Sequence, residues 1–199
     1  MKPRVSVLHA VTTRLAGLTA MLLLLAASLF ATPARADEAS LFALLKQPGH
    51  VLLMRHTLAP GIGDPEGFVL EDCRTQRNLS DTGQVQAREL GERLRAGGIE
   101  SARVYSSRWR RCLDTATGLG LGPVIPLTAL DSVFQRRHET EARTRALRDF
   151  LAALEPGEPV ILVTHQMNVR ALTGRSTGVG EGLLLNVEDP EDVRVVGVF

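Results

Sequence analysis

Lysine is almost missing from this sequence: Lys2 and Lys46 are the only two, and every other basic residue is an arginine. Arginine suits bidentate phosphate recognition, but a bias spread over the whole chain is more simply a matter of base composition and carries no functional weight. Net charge is missing too. The 199-residue chain stands at +1, and beyond residue 36 it holds 19 basic against 22 acidic residues, a balance of −3. That balance excludes the basic footprint of a nucleic-acid or membrane-surface binder. Cysteine is limited to Cys73 and Cys112. Neither follows the apolar stretch near the N-terminus, which excludes lipid attachment there. No internal repeat and no low-complexity tract occurs outside that stretch.

What is there begins with an address. Lys2, Arg4 and Arg14 give a positive start, Leu15 to Phe30 is rich in Leu and Ala, and Ala34-Arg35-Ala36 has the small residues of a signal-peptidase site. Residues 1–36 are therefore expected to be a cleaved signal peptide and 37–199 a single domain in the periplasm or outside the cell. The alternative is an uncleaved anchor, because the apolar run approaches the ~18 residues of a spanning helix. Export would permit a disulfide between Cys73 and Cys112; two separate buried thiols are the other reading.

Within 37–199, the run from His50 to Met54 reads as a buried strand that ends at Arg55-His56. Thr57 to Asn78, with three glycines and two prolines, reads as a long loop. Ser80 caps an expected helix to about Ala96, stopped by Gly97-Gly98. A strand at 103–106, a helix at 109–119 and a short strand at 123–127 follow. Next come a helix from about Glu139 to Leu154, a buried strand at 159–164 ending at His165, a helical turn at 168–172, and closing strands at 182–187 and 193–199. The alternation predicts an α/β fold, a three-layer sandwich with a largely parallel sheet flanked by helices. Ligands in such a fold belong at the C-terminal ends of the strands.

His56 and His165 are thus expected on one rim, with Arg55 and Arg111 in reach. Guanidinium groups offer paired donors to phosphate oxygens, and an imidazole among cations stays neutral and nucleophilic near neutral pH. Attack on phosphorus would give a phosphohistidine, with no metal and no cofactor required.

Four segments in order carry a resemblance. Leu53-Met54-Arg55-His56-Thr57 resembles the nucleophile motif of the histidine phosphatase superfamily, which includes the phosphoglycerate mutases. Asn78 to Ala87 is similar to its Leu, hydroxyl, Gly, Gln-Ala segment. Ser106 to Ala116 resembles its Ser, Arg, Thr-Ala segment, and Val163-Thr164-His165 the segment of its second histidine. The resemblance implies a phosphoglycerate mutase-like fold and His56 as nucleophile, with Arg55, Arg111 and His165 binding the phosphoryl group and Arg77 as a further candidate. Ser106 and Ser107 read as packing and capping groups.

Thr57 stands where the family most often has glycine or a small residue. The family's carboxylate acid, which would protonate the leaving oxygen, has Asp131 as its aligned candidate, with Glu139, Asp64, Glu66 and Asp72 as alternatives. Some relatives manage without one when the leaving group is good. The expected activity is hydrolysis of phosphate monoesters by an exported phosphatase. Its partner would be a small phosphorylated substrate, an envelope sugar phosphate among the candidates, without nucleic acid or a lasting membrane anchor. The rival readings are a phosphate-ester binding module of the envelope and a phosphomutase.

Overall fold

In the computed structural model, which describes residues 33–199, strand β1 (His50–Arg55) lies inside a six-stranded sheet and is buried on both faces. Its sequence, HVLLMR, contains four consecutive apolar residues, as a strand covered from both sides requires. The other strands are β2 (Arg103–Ser106), β3 (Val124–Pro126), β4 (Val160–Thr164), β5 (Gly182–Asn186) and β6 (Arg194–Val198), in the order β3-β2-β4-β1-β5-β6. The pairings β1–β4, β4–β2 and β2–β3 are parallel, whereas β1–β5 and β5–β6 are antiparallel. The sheet is therefore largely parallel, with an antiparallel edge.

The helices are α1 (Pro33–Leu45), α2 (Asp81–Ala96), α3 (Arg110–Leu119), α4 (Thr140–Ala152) and α5 (Gln166–Thr173). Leu52, Met54, Ile161 and Val163 point to one face, where they pack with Leu41, Phe42 and Leu45 of α1, Leu94 of α2 and Leu119 of α3. Val51, Leu53, Val160 and Leu162 alternate to the other face, against Leu147 and Leu151 of α4 and Val169 and Leu172 of α5. Two cores on one sheet make the three layers. Each fully buried Leu or Val contributes about 1.5–3 kcal/mol, so the sheet is a stiff platform for whatever leaves its rim.

The leader expected over 1–36 lies outside the described residues apart from its end, which opens α1. Helix α1 has no counterpart among the sequence expectations, and α5 is a complete helix where only a turn was expected. Ser80 caps α2 as expected, its Oγ accepting the N–H of Gly83 at 3.1 Å.

Candidate active site

Parallel pairing sets Arg55 opposite Thr164 and Ser106 opposite Val163, so β1, β4 and β2 end on one rim. The residues that leave them are His56, His165 and Ser107. The His56 N–H still donates to the Thr164 carbonyl at 3.0 Å, and the Ser107 N–H to Val163 at 2.9 Å, so both begin their turns while tied to the sheet. The rings of His56 and His165 stand 5.6 Å apart, edge to face. The cleft above them has a volume of about 230 Å³.

His56 is buried, and its Nδ1–H donates to the Thr57 carbonyl at 2.7 Å. That bond leaves the lone pair on Nε2. Burial holds the imidazole pKa down at about 3; the bond to Thr57 opposes this, while Arg111, Arg77 and Arg55 add to it. His56 is therefore neutral through the whole physiological range, with the Nε2 lone pair that a nucleophile would need.

His165 N-caps α5, and its two nitrogens are differentiated. A guanidinium can only donate, so the 3.3 Å contact from Arg111 Nη2 makes Nδ1 an acceptor, and Nε2–H donates to Ser107 Oγ at 2.8 Å. Burial, then Arg111, His56, Arg77 and Arg55, hold its pKa well below the ordinary value. Ser107 thus orients His165 while also accepting the Trp109 N–H at 3.3 Å. Its sequence reading as a capping group covered only half of this.

Three arginines line the cleft: Arg55, Arg77 and Arg111. Arg111 sits in the first turn of α3, so two helix N-termini, of α3 and α5, open toward the same space and add partial positive charge. Arg111 Nη1 is held by Asp64 at 2.9 Å, and its buried Nε has no partner. The Nε of Arg55 is likewise unpartnered, while its Nη1 donates to the Thr177 carbonyl at 3.2 Å. Arg77, which sequence left between a loop residue and a ligand, belongs to the cluster. Its Nε donates to the Gly63 carbonyl at 2.9 Å and its Nη1 to that of Ala59. Burial and the charge of Arg111 lower its pKa to about 10, and burial followed by Arg111 also lowers that of Arg55. A phosphate dianion would relieve this mutual repulsion and satisfy the orphaned donors.

The Asn78–Ala87 segment acquires a physical role. Ser80 N–H donates to the Leu58 carbonyl at 3.0 Å, and Gln86 Oε1 accepts the Leu58 N–H at 3.1 Å. Gly83 allows this approach, since a Cβ there would stand 2.1 Å from the Leu58 oxygen. The start of α2 thereby clamps the peptide two residues after the nucleophile. Thr57 is fixed from the other side. Thr115 Oγ1 donates to the Arg111 carbonyl at 2.7 Å, so it accepts both the N–H and the O–H of Thr57, each at 3.1 Å. Thr57 is fully buried, and no non-glycine residue among those described has a positive φ. The departure from glycine is accommodated without strain.

Asp131 does not line the cleft. Its carboxylate accepts the Arg108 backbone N–H at 3.0 Å and the side-chain Nε and Nη2 at 2.9 and 2.6 Å, with Arg143 at 3.8 Å. A buried carboxylate held by these donors, outside the cleft lining, anchors Arg108 rather than facing a substrate. The alternatives fare no better. Glu139 pairs with Arg143, Asp72 with Arg74, and Asp64 with Trp109 and Arg111, while Glu66 is exposed and absent from the lining. Among the described residues no carboxylate lines the cleft. Nor is the bridge between the cysteines present: Cys73 is an exposed free thiol, and Cys112 a buried one 3.5 Å from His165 Nε2. Burial pushes the Cys112 pKa up to about 12. Among the described residues no group of three or more His, Cys, Asp or Glu side chains could hold a metal.

A neutral imidazole framed by guanidiniums, at the C-terminal rim of a mostly parallel sheet, defines a site for a phosphoryl group. Residues 51–134 match the family model of the histidine phosphatase superfamily (branch 1), so this part of the chain is similar to that superfamily. No curated protein matches it by sequence. Among solved structures, a phosphoserine phosphatase from Entamoeba histolytica in complex with 3-phosphoglyceric acid is similar with a TM-score of 0.56 at 12% identity, covering 75% of this chain and 95% of that one. A putative phosphohistidine phosphatase SixA from Agrobacterium tumefaciens gives 0.54 at 16%, covering 77% and 98%. A mycobacterial glucosyl-3-phosphoglycerate phosphatase with inorganic phosphate gives 0.51 at 20%, covering 73% and 93%. At these identities the likeness is one of fold, and the three names carry three different substrates.

Proposed function

We propose that this protein is an exported phosphatase that hydrolyses phosphate monoesters through a covalent phosphohistidine on His56. The observation that carries the reading is the Nδ1–H bond to Thr57, which leaves the Nε2 lone pair free in a cleft lined by Arg55, Arg77 and Arg111. In the first step Nε2 attacks phosphorus, the N–P bond forms, and the P–O bond to the leaving group breaks. The guanidiniums take the charge on the equatorial oxygens. In the second step water attacks phosphorus, the N–P bond breaks, and orthophosphate leaves with His56 neutral again. The leaving group obtains its proton from water, since among the described residues no carboxylate lines the cleft.

Trapping tests this directly. Acid-quenched protein mixed with ³²P-labelled substrate carries label on His56, and a His56→Ala variant carries none and loses turnover by several orders of magnitude. A folded wild-type protein that binds phosphate esters without label or turnover would instead make it a binding module, the reading favoured by the missing carboxylate. Export is supported by the composition of residues 1–36. Mass spectrometry of the protein recovered from the periplasm is expected to give Asp37 as the first residue.

A further inference from the structure

The cleft has two chemically different levels. Its most buried lining residues are His56, His165 and Arg111, with Arg55 and Arg77 half-buried, whereas the mouth is formed by exposed Ile62, Phe134 and Gln166 and half-buried Met167, with Ser132 buried beside them. Ile62 is 89% exposed and Phe134 38% exposed. Scattered exposed apolar residues are ordinary, but Ile62 is held in place. It lies between Gly61 and Gly63, at φ 92° and 69°, values that favour glycine and turn the loop tip outward. The tip is then fastened just behind Ile62. The Gly63 carbonyl accepts from Arg77, and the Asp64 carboxylate accepts from Trp109 and Arg111 while its N–H donates to Gln135 Oε1 at 2.5 Å. Two phosphate-clamping arginines therefore also fix the position of the apolar tip.

Resting on the phosphatase reading, we infer that the substrate is a phosphate carried on an apolar group, an alkyl or aryl moiety that covers Ile62 and Phe134 while the phosphoryl group sits among the arginines. A sugar phosphate fits the mouth poorly. Its hydroxyls would lie against Ile62, Phe134 and Met167, and discrimination for hydroxyls requires placed polar partners. Ser132 is buried with its Oγ accepting the Phe134 N–H at 3.4 Å, so Gln166 is the freely exposed polar side chain of the mouth. Among the described residues no carboxylate lines the cleft to greet a cationic leaving group. The volume of about 230 Å³ is below the roughly 300–1,000 Å³ of drug-sized sites, which suits phosphate with a short apolar group.

Linear alkylphosphonates from methyl to hexyl test this, because they share one head group, are not hydrolysed, and differ only in apolar length. Inhibition of aryl phosphate turnover by the full chain is expected to tighten about two- to fourfold per methylene over the first carbons, the upper figure being that of a fully buried methylene. Ile62→Ser and Phe134→Ser flatten this dependence, and Ile62→Leu keeps it. A flat series in the wild type, tighter inhibition by a polyhydroxylated phosphonate, or Ser variants that weaken methyl and hexyl equally would each overturn the inference while leaving phosphate turnover in place. A wild type that neither binds orthophosphate nor turns over any monoester overturns the phosphatase reading and this inference with it.

Discussion

Asp64 Oδ1 lies 2.9 Å from Arg111 Nη1, and both side chains are almost completely buried. The carboxylate also takes the Trp109 indole N–H at 2.9 Å, so a residue of the long loop holds one end of the Arg111 guanidinium, whose Nη2 meets His165 and whose buried Nε has no partner. Removing one member of a buried ion pair costs about 3–5 kcal/mol. Asp64→Asn is expected to lose about 3 kcal/mol in denaturant titration and to weaken orthophosphate binding with Arg111. The Asp64→Asn/Arg111→Ala double variant should bind phosphate no worse than Arg111→Ala alone, a comparison that calorimetry can make.

Thr115 serves Thr57 with one oxygen, and replacing it with valine strands two buried donors. Each unsatisfied group costs about 1–3 kcal/mol. Thr115→Val is expected to lower stability accordingly and to loosen the carbonyl that fixes the His56 tautomer. Nitrogen chemical shifts of the imidazole should then show a mixture of Nδ1–H and Nε2–H forms, with turnover down about tenfold or more. Thr115→Ser should keep both.

The two histidines make stability depend on pH with a definite sign. Folded His56 stays unprotonated down to about 3, and His165 is also held well below its ordinary value of 6.5. Between about 3 and 6.5 the unfolded chain binds more protons. Stability is therefore fully present above 6.5 and falls as the pH drops through that window, by at most about 1.4 kcal/mol per pH unit for each histidine. Denaturant midpoints at about pH 7.5, 5.5 and 4.5 should fall in that order, and His56→Asn should reduce the slope.

With no carboxylic acid lining the cleft among the described residues, the rate of the proposed reaction is expected to depend steeply on the leaving group. Aryl phosphates should be hydrolysed at least about 100-fold faster than alkyl phosphates, matching the scale of general acid catalysis forgone. Asp131→Asn distinguishes the anchor from an acid. It is expected to lower stability by about 1–3 kcal/mol through the charged hydrogen bonds given up with half-exposed Arg108 while leaving the aryl-to-alkyl rate ratio as in the wild type.

The two thiols should differ in reactivity. Cys73 reacts at once with a disulfide reagent, and Cys112, buried with its pKa near 12, reacts only on unfolding. Reductant should leave the mass of the protein unchanged.

Legibility in the sequence followed the range of the interactions. The strands before His56 and His165 are continuous apolar runs, the Ser80 helix has its cap and stop, and parallel pairing brings two strand-end histidines together; all of this is local pattern plus one topological rule. Asp64 was legible only as one of several loop carboxylates, because its partners Trp109 and Arg111 are more than forty residues away. The direction of the Asp131 side chain was not legible, since an aligned position does not give it, and in the structure Arg108 holds the carboxylate outside the cleft lining. Helix α1 escaped notice because its sequence, PARADEASLFALL, begins within the expected cleavage site and lacks a distinct polar face.

The strand order has a consequence for biogenesis. His56 leaves β1 and His165 leaves β4, neighbours in the sheet but 109 positions apart in the chain, so His56 lacks its neighbour until β4 has been threaded between β1 and β2. Such long-range parallel pairing is slow to form. The rim that gathers His56, His165 and the arginines is therefore assembled only when the whole sheet has closed around β4.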